Sequence, residues 1–127
     1  MDNQIVQVAR FTLGFSWIYH GLFPKIFKVA PIEKELTAAM GLSEEISYIV
    51  TKSAGVLEVV FGLLILVFYK NTNFIWFNIF ALVSLCGYVA IMMPVLLIEA
   101  FNPVTTNFSL IALSYILLRA KASYQTN

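Results

Sequence analysis

Four long apolar segments, separated by short polar connections, constrain the fold of this chain more than any other feature. They cover residues 5–27, 45–69, 74–98 and 104–119. The hydrocarbon core of a bilayer is ~30 Å thick and takes about 20 helical residues to cross. Three of the segments reach that length, and the fourth is marginal. The sequence therefore predicts an all-α fold, an integral membrane four-helix bundle made by one domain of residues 1–127.

Composition supports a membrane protein and excludes several classes of function. Only 12% of the 127 residues are charged, about half of the ~25% usual in soluble domains. The net charge of +1 and the absence of basic runs exclude nucleic acid as a partner. The single cysteine, Cys86, excludes an internal disulfide. The single histidine, His20, excludes a His-rich metal site within one subunit, and we expect no metal.

The connection between the first two segments predicts a short amphipathic helix at the membrane interface, over residues 31–40. Pro31 suits the first position of a helix, and Gly41 suits the residue after its end. An apolar face is formed by Ile32, Leu36, Ala39 and Met40, with Glu33, Lys34 and Thr37 elsewhere. An ordered surface loop is the alternative interpretation.

The N-terminus carries no recognisable cleavable signal, so the first apolar segment is expected to remain in the mature protein. Four spans place both termini on the side of the turn at residues 70–73. Basic residues are divided equally between the two sides of the membrane. The acidic residues concentrate on the side opposite the termini. We expect a bacterial cytoplasmic (inner) membrane protein with both termini in the cytoplasm.

A lone carboxylate, Glu58, interrupts the apolar run of residues 54–68. An ionised carboxylate at the bilayer centre costs about 2.5–3.5 kcal/mol even on insertion scales, so such a residue is a candidate for function. The alternative is a structural glutamate, protonated or paired, that fixes helix packing. Small and polar residues share its helical face, and the opposite face is wholly apolar. The stripe around Glu58 consists of Thr51, Ala54, Gly55, Gly62, Ile65 and Tyr69; the back consists of Val56, Val60, Leu63 and Val67. We expect the stripe, and Glu58 with it, to face the bundle interior.

Polar and aromatic residues of the other segments supply further candidates for ligand binding. His20 lies on the same half of the membrane as the start of the second segment, so it can pair with Glu58, directly or through Tyr19, Tyr88 or water. Such a pair suits a proton relay or a hydrogen-bonding site for a quinone or another polar head group. Alternatively, His20, Trp17 and Tyr19 belong to an interfacial aromatic belt.

In the last segment, Asn107 and Ser114 align seven residues apart, a spacing that favours interhelical hydrogen bonds over ligand contacts. Pro24 lacks an N–H group and therefore frees the carbonyl of His20 from its helical partner.

The chain resembles the DoxX-like family of small four-helix membrane proteins in three short stretches. These are residues 14–25 (GFSWIYHGLFPK), residues 55–62 (GVLEVVFG) and residues 101–107 (FNPVTTN). Thr106 departs from the family pattern, in which we expect a basic residue. The resemblance implies a four-helix bundle, and it directs attention to His20, Pro24, Lys25, Glu58 and Asn107.

Some relatives are membrane subunits of redox systems, including thiosulfate:quinone oxidation and partnership with superoxide-detoxifying enzymes. We therefore expect a non-enzymatic membrane subunit or anchor of a redox system, with a quinone or lipid-like ligand near Glu58 and His20. Its partners would be the lipid bilayer and a soluble or membrane oxidoreductase. The alternative is a small homo-oligomeric transporter or channel with Glu58 as its proton or cation site. The expected ligand-binding residues are Glu58, His20, Tyr19, Trp17, Tyr88 and Asn107.

Overall fold

The computed structural model describes residues 3–125, and these form helices without a strand. The long helices are α1 (Asn3–Gly21), α3 (Glu44–Phe68), α4 (Thr72–Met92) and α5 (Pro103–Gln125). A π-helical turn (Leu22–Phe27) continues α1, and the short α2 (Pro31–Ala38) follows it. A 3₁₀ turn (Pro94–Ile98) lies between α4 and α5. The all-α prediction is confirmed.

Helices α1 and α3 run antiparallel and touch through two pairs of glycines. A β-carbon built on Gly62 would lie 2.7 Å from the carbonyl oxygen of Gly14, and one built on Gly55 would lie 2.7 Å from that of Gly21. Backbones this close leave no room for a side chain, which is how small residues promote helix packing in lipid.

The predicted inward stripe of α3 is confirmed. Thr51, Gly55, Gly62 and Ile65 are buried, whereas the apolar back of the helix is exposed.

The remaining helices complete the bundle in the order α3, α1, α5, α4. Two consecutive hydrogen bonds, which we call the polar relay, join α1, α4 and α5. The indole N–H of Trp17 donates to Asn78 Oδ1 (2.8 Å), and Asn78 Nδ2 donates to Ser114 Oγ (2.7 Å). The apolar core around it consists of Val6, Ala9, Leu13, Trp17, Ile65, Ile75, Leu82, Leu117 and Ala120.

Helices α3 and α4 are consecutive but pack sparsely against each other. Aromatic rings bridge them near the connecting turn, with Phe61 5.1 Å from Phe74 and 5.8 Å from Phe77 between ring centroids. Further from the turn the two helices separate and leave the cleft described below.

Two of the described helices, α3 and α4, are long and apolar enough to cross a bilayer, judged by length and composition. Only 22% of the most apolar window of each is buried, so most of their apolar surface lies on the outside. The core helix of a soluble protein would be mostly buried. The apolar segment 74–98 is not one helix, because α4 ends at Met92, just before Pro94, which has no N–H for a helical hydrogen bond. Four spans remain a prediction.

Candidate functional site

Four ionisable side chains meet where the π-helical turn, α2 and α3 come together. Lys25 Nζ lies 3.0 Å from both carboxylate oxygens of Glu58, 3.1 Å from Glu33 Oε1 and 3.1 Å from His20 Nδ1. His20 Nδ1 is 3.2 Å from Glu58 Oε2. We call these four residues the charge cluster. Its lysine and two glutamates are largely buried, whereas 58% of the His20 side chain is exposed.

The π-helical turn explains how His20 and Lys25 reach the same partner. In an α-helix, five residues are about 1.4 turns, so the two side chains would point to different faces. A π-helix has a wider turn with hydrogen bonds between residues five apart, so a π-helical turn after His20 brings Lys25 closer to the face of His20. Pro24 lies inside this turn and cannot donate the α-helical hydrogen bond to the carbonyl of His20. The proline thus favours the local geometry that directs Lys25 inward.

The Gly21–Gly55 contact brings the backbones of α1 and α3 together beside the charge cluster. A β-carbon on Gly55 would lie 2.8 Å from Cβ of Lys25 and 2.9 Å from Ile26 Cγ1. Glu58 lies one turn further along α3. The close approach allows the lysine to reach both oxygens of Glu58.

Helix α2 completes the charge cluster with its polar face. Its buried residues are Glu33 and Thr37, while Ile32 and Met40 are exposed. Within residues 31–40, where the sequence predicts a short amphipathic helix, the structure has a helix over Pro31–Ala38 in which Ile32 is exposed. Its position at a membrane interface stays a prediction.

Counting hydrogen-bond donors favours a hydrogen on Nδ1 of His20. An ammonium group has three hydrogens, but Lys25 has four acceptor atoms within reach. If His20 carries its proton on Nδ1, it donates to Glu58 Oε2, and the three lysine hydrogens are matched by three carboxylate oxygens. With a hydrogen on Nδ1, each of these contacts joins a donor to an acceptor.

Beside Glu58, an open cleft of about 370 Å³ runs between α3 and α4. Its lining is almost wholly apolar, and it consists of Trp17, Leu57, Glu58, Val60, Phe61, Leu64, Phe77 and Ala81. Ligand sites commonly have 300–1,000 Å³, apolar walls and a few polar groups. Glu58 borders this cleft through the apolar part of its side chain, while its carboxylate is held in the charge cluster.

The structure brings three of the six predicted ligand-binding residues together. Glu58 and Trp17 line the cleft, and His20 contacts Glu58 from the side of the charge cluster. Tyr19 lies instead on the outer face of α1, where its ring centroid is 4.5 Å from that of Phe23.

The other two predicted residues make hydrogen bonds elsewhere in the bundle. Tyr88 donates to the carbonyl of Leu36 in α2 (2.6 Å). Asn107 donates to the carbonyl of Leu82 (3.1 Å) and lies 3.3 Å from Cys86 Sγ. The interhelical hydrogen bonds expected for Asn107 and Ser114 are thus present.

Sequence reasoning did not identify Lys25 as the partner of Glu58, nor Glu33 as the second carboxylate on that lysine. The bases nearest to Glu58 along the chain are Lys52 and Lys70, but Lys52 donates to the carbonyl of Ile26. The sequence signal for the correct partner is the proline preceding Lys25, because a proline inside an apolar helix favours a widened turn.

Comparison with known protein families covers the site described above. A family model described as the DoxX-like family matches residues 14–115. This range includes both glycine pairs, all four residues of the charge cluster and every residue that lines the cleft. The chain therefore belongs to the DoxX-like family. No match was found among curated proteins or among solved structures.

Proposed function

For this member of the DoxX-like family, we propose the role of a non-enzymatic membrane subunit or anchor of a redox system that holds a quinone or lipid-like molecule. The cleft between α3 and α4 carries this proposal, because its apolar lining lies directly beside a residue whose carboxylate is buried in the charge cluster. The apolar body of a quinone or lipid-like molecule suits such a lining.

The outer surface supports a position within the bilayer. Large apolar side chains cover all four long helices on the outside, including Phe15, Leu57, Phe80 and Phe108, each more than 60% exposed. Contiguous exposed apolar surface of this extent indicates contact with a membrane. We propose that all four long helices span the bacterial cytoplasmic membrane with both termini in the cytoplasm.

The opening of the cleft fits a ligand that arrives from the membrane. The cleft lies between two helices whose outer faces are apolar, and Leu57 at its edge is 69% exposed. A lipid-soluble molecule could therefore enter sideways without crossing a polar surface. The redox role rests on the family, in which some members are membrane subunits of redox systems, and an oxidoreductase partner is part of the proposal.

The alternative function, a homo-oligomeric channel or transporter with Glu58 as its cation site, is less well supported. Such a site requires Glu58 side chains from several copies to converge on a pore. Both oxygens of Glu58 instead accept hydrogen bonds from Lys25 of the same chain, so the carboxylate already has its cation.

Native mass spectrometry of protein released from mild detergent tests the proposal. We expect a bound amphiphile that is lost in Ala81→Phe, since this substitution places a ring in the cleft. Ala90→Phe, on an exposed face of the same helix, is the matched control and should retain the molecule. Equal retention in the two variants would contradict the cleft as the binding site, and a retained quinone would support the redox role specifically.

A further inference from the structure

We propose that the charge cluster is a proton-binding site, in which His20 holds one exchangeable proton on its outer nitrogen, Nε2. This inference goes beyond the proposed function, because it requires no molecule in the cleft. Either can therefore fail without the other.

The first observation is the orientation of the His20 ring. Its Nδ1 lies 3.2 Å from Glu58 Oε2, on the buried side, while 58% of the side chain is exposed. The exposed part is therefore the opposite edge of the ring, which carries Nε2. Because the hydrogen of Nδ1 is donated to Glu58, Nε2 is the ring nitrogen that can gain or lose a hydrogen.

The second observation is the balance of formal charges. Glu58 and Glu33 each contribute one negative charge, and Lys25, which contacts both, contributes one positive charge. With a neutral imidazole, the charge cluster retains one net negative charge, whereas with an imidazolium it is neutral. Since ionised groups within a membrane are costly unless they are paired, the charge cluster accommodates one further proton on His20.

The third observation is that no other cation supplies the missing charge. Within the part of the chain that the structure describes, no further ion pair reaches either glutamate. Lys52 of α3 donates to the carbonyl of Ile26, and α4 has no charged residue. Arg10 of α1 and the basic residues of α5 lie toward the other end of the bundle. His20 is therefore the group that can complete the balance.

The single histidine of the chain makes this proton directly observable. In protein grown with ¹⁵N-labelled histidine, the frequency of each imidazole nitrogen shows whether that nitrogen carries a hydrogen. Both signals are followed by solid-state NMR of the protein in lipid bilayers. The pH is lowered from about 9 to about 5, a range that includes the usual charge change of histidine.

We expect Nδ1 to carry a hydrogen throughout and Nε2 to gain one in a single step as the pH falls. If instead Nδ1 gained the hydrogen and Nε2 carried one throughout, the assignment to the outer nitrogen would be overturned. A ring that keeps one protonation state over the whole range would overturn the exchangeable proton.

Glu33→Gln tests the charge balance, since Glu33 reaches His20 through Lys25. Glu33 Oε1 and His20 Nδ1 each lie 3.1 Å from Lys25 Nζ, so they are at most about 6 Å apart, a distance at which an opposite charge alters proton binding about tenfold or more. We expect His20 in Glu33→Gln to bind its proton about tenfold more weakly, so that uptake occurs at a lower pH.

Glu35→Gln is the matched control, because it removes the same charge from an exposed residue of the same helix. It should change the proton affinity of His20 less than about twofold, as expected for an exposed and screened charge. Equal effects of the two substitutions would overturn the charge balance. If Glu33→Gln does not fold, the titration of the parent protein decides alone.

Discussion

Replacing Gly62 by alanine should force α1 and α3 apart, because the two backbones touch at this glycine. The new β-carbon would lie 2.7 Å from the carbonyl oxygen of Gly14 and 2.7 Å from Ile18 Cγ1, and 3.0 Å from the backbone nitrogen of Ile18. Two of these three atoms belong to the backbone of α1. Rotation of a side chain therefore cannot relieve the contact, and the helices must shift.

Two opposing terms set the size of the effect. Inserting one carbon into a packed interior costs about 1–3 kcal/mol. Alanine is favoured over glycine within a helix by about 0.5–1 kcal/mol, which offsets part of that cost. We expect Gly62→Ala to lower the free energy of unfolding by about 1–2 kcal/mol. Gly87 in α4 is a matched control, since a β-carbon there would meet nothing within 4 Å.

The two variants can be compared by unfolding in mixed micelles with a rising fraction of sodium dodecyl sulfate, followed by circular dichroism. Gly87→Ala should equal or exceed the stability of the parent protein, and Gly62→Ala should fall below both. If Gly62→Ala were as stable as Gly87→Ala, the glycine contacts would not determine the distance between α1 and α3.

Three further substitutions test the polar contacts. Lys25→Met should lower the free energy of unfolding by about 3–5 kcal/mol in the same assay, because it leaves buried carboxylates without their cation. The control Lys28→Met, at an exposed residue, should have little effect. Asn78→Leu should cost about 1–3 kcal/mol, since the indole N–H of Trp17 loses its acceptor. Tyr88→Phe should cost about 0.5–1.5 kcal/mol and speed amide hydrogen exchange in α2, because the hydroxyl that holds this helix is removed.

For each of these three predictions, one outcome would contradict the reasoning. Equal stability of the two lysine variants would mean that the charge cluster does not stabilise the fold. Asn73→Leu, at an exposed residue of α4, is the control for added apolar surface. If it lowered the free energy of unfolding as much as Asn78→Leu, the polar relay would not explain the effect. Unchanged exchange in α2 for Tyr88→Phe would show that other contacts hold this helix.

Helical periodicity predicted much of this arrangement. The stripe of small residues on α3 and the inward position of Glu58 follow from a period of 3.6 residues, which holds along the whole helix. The contact of His20 with Glu58 was one of two interpretations of the sequence, and it follows from the antiparallel course of α1 and α3, which brings His20 near the first half of α3. These parts could be predicted from the sequence because each depends on one regular helix or on one pair of helices.

The contact of Glu58 with Lys25 could not be predicted from the sequence in the same way. Lys25 reaches it through a π-helical turn, where the period changes and a face predicted from α-helical spacing no longer applies. Glu33 reaches the same lysine because α2 presents its polar face to the bundle. Amphipathic patterns locate an apolar face, but in a bilayer that face can lie against lipid as well as against protein.

The order of the charge cluster along the chain has a consequence for biosynthesis. His20, Lys25, Glu33 and Glu58 all precede α4, so the residues that neutralise Glu58 are synthesised before it. The carboxylate of Glu58 therefore does not depend on a cation from a later helix. The two helices made last bring no new charge to that site, and α4 adds only one apolar wall of the open cleft beside Glu58.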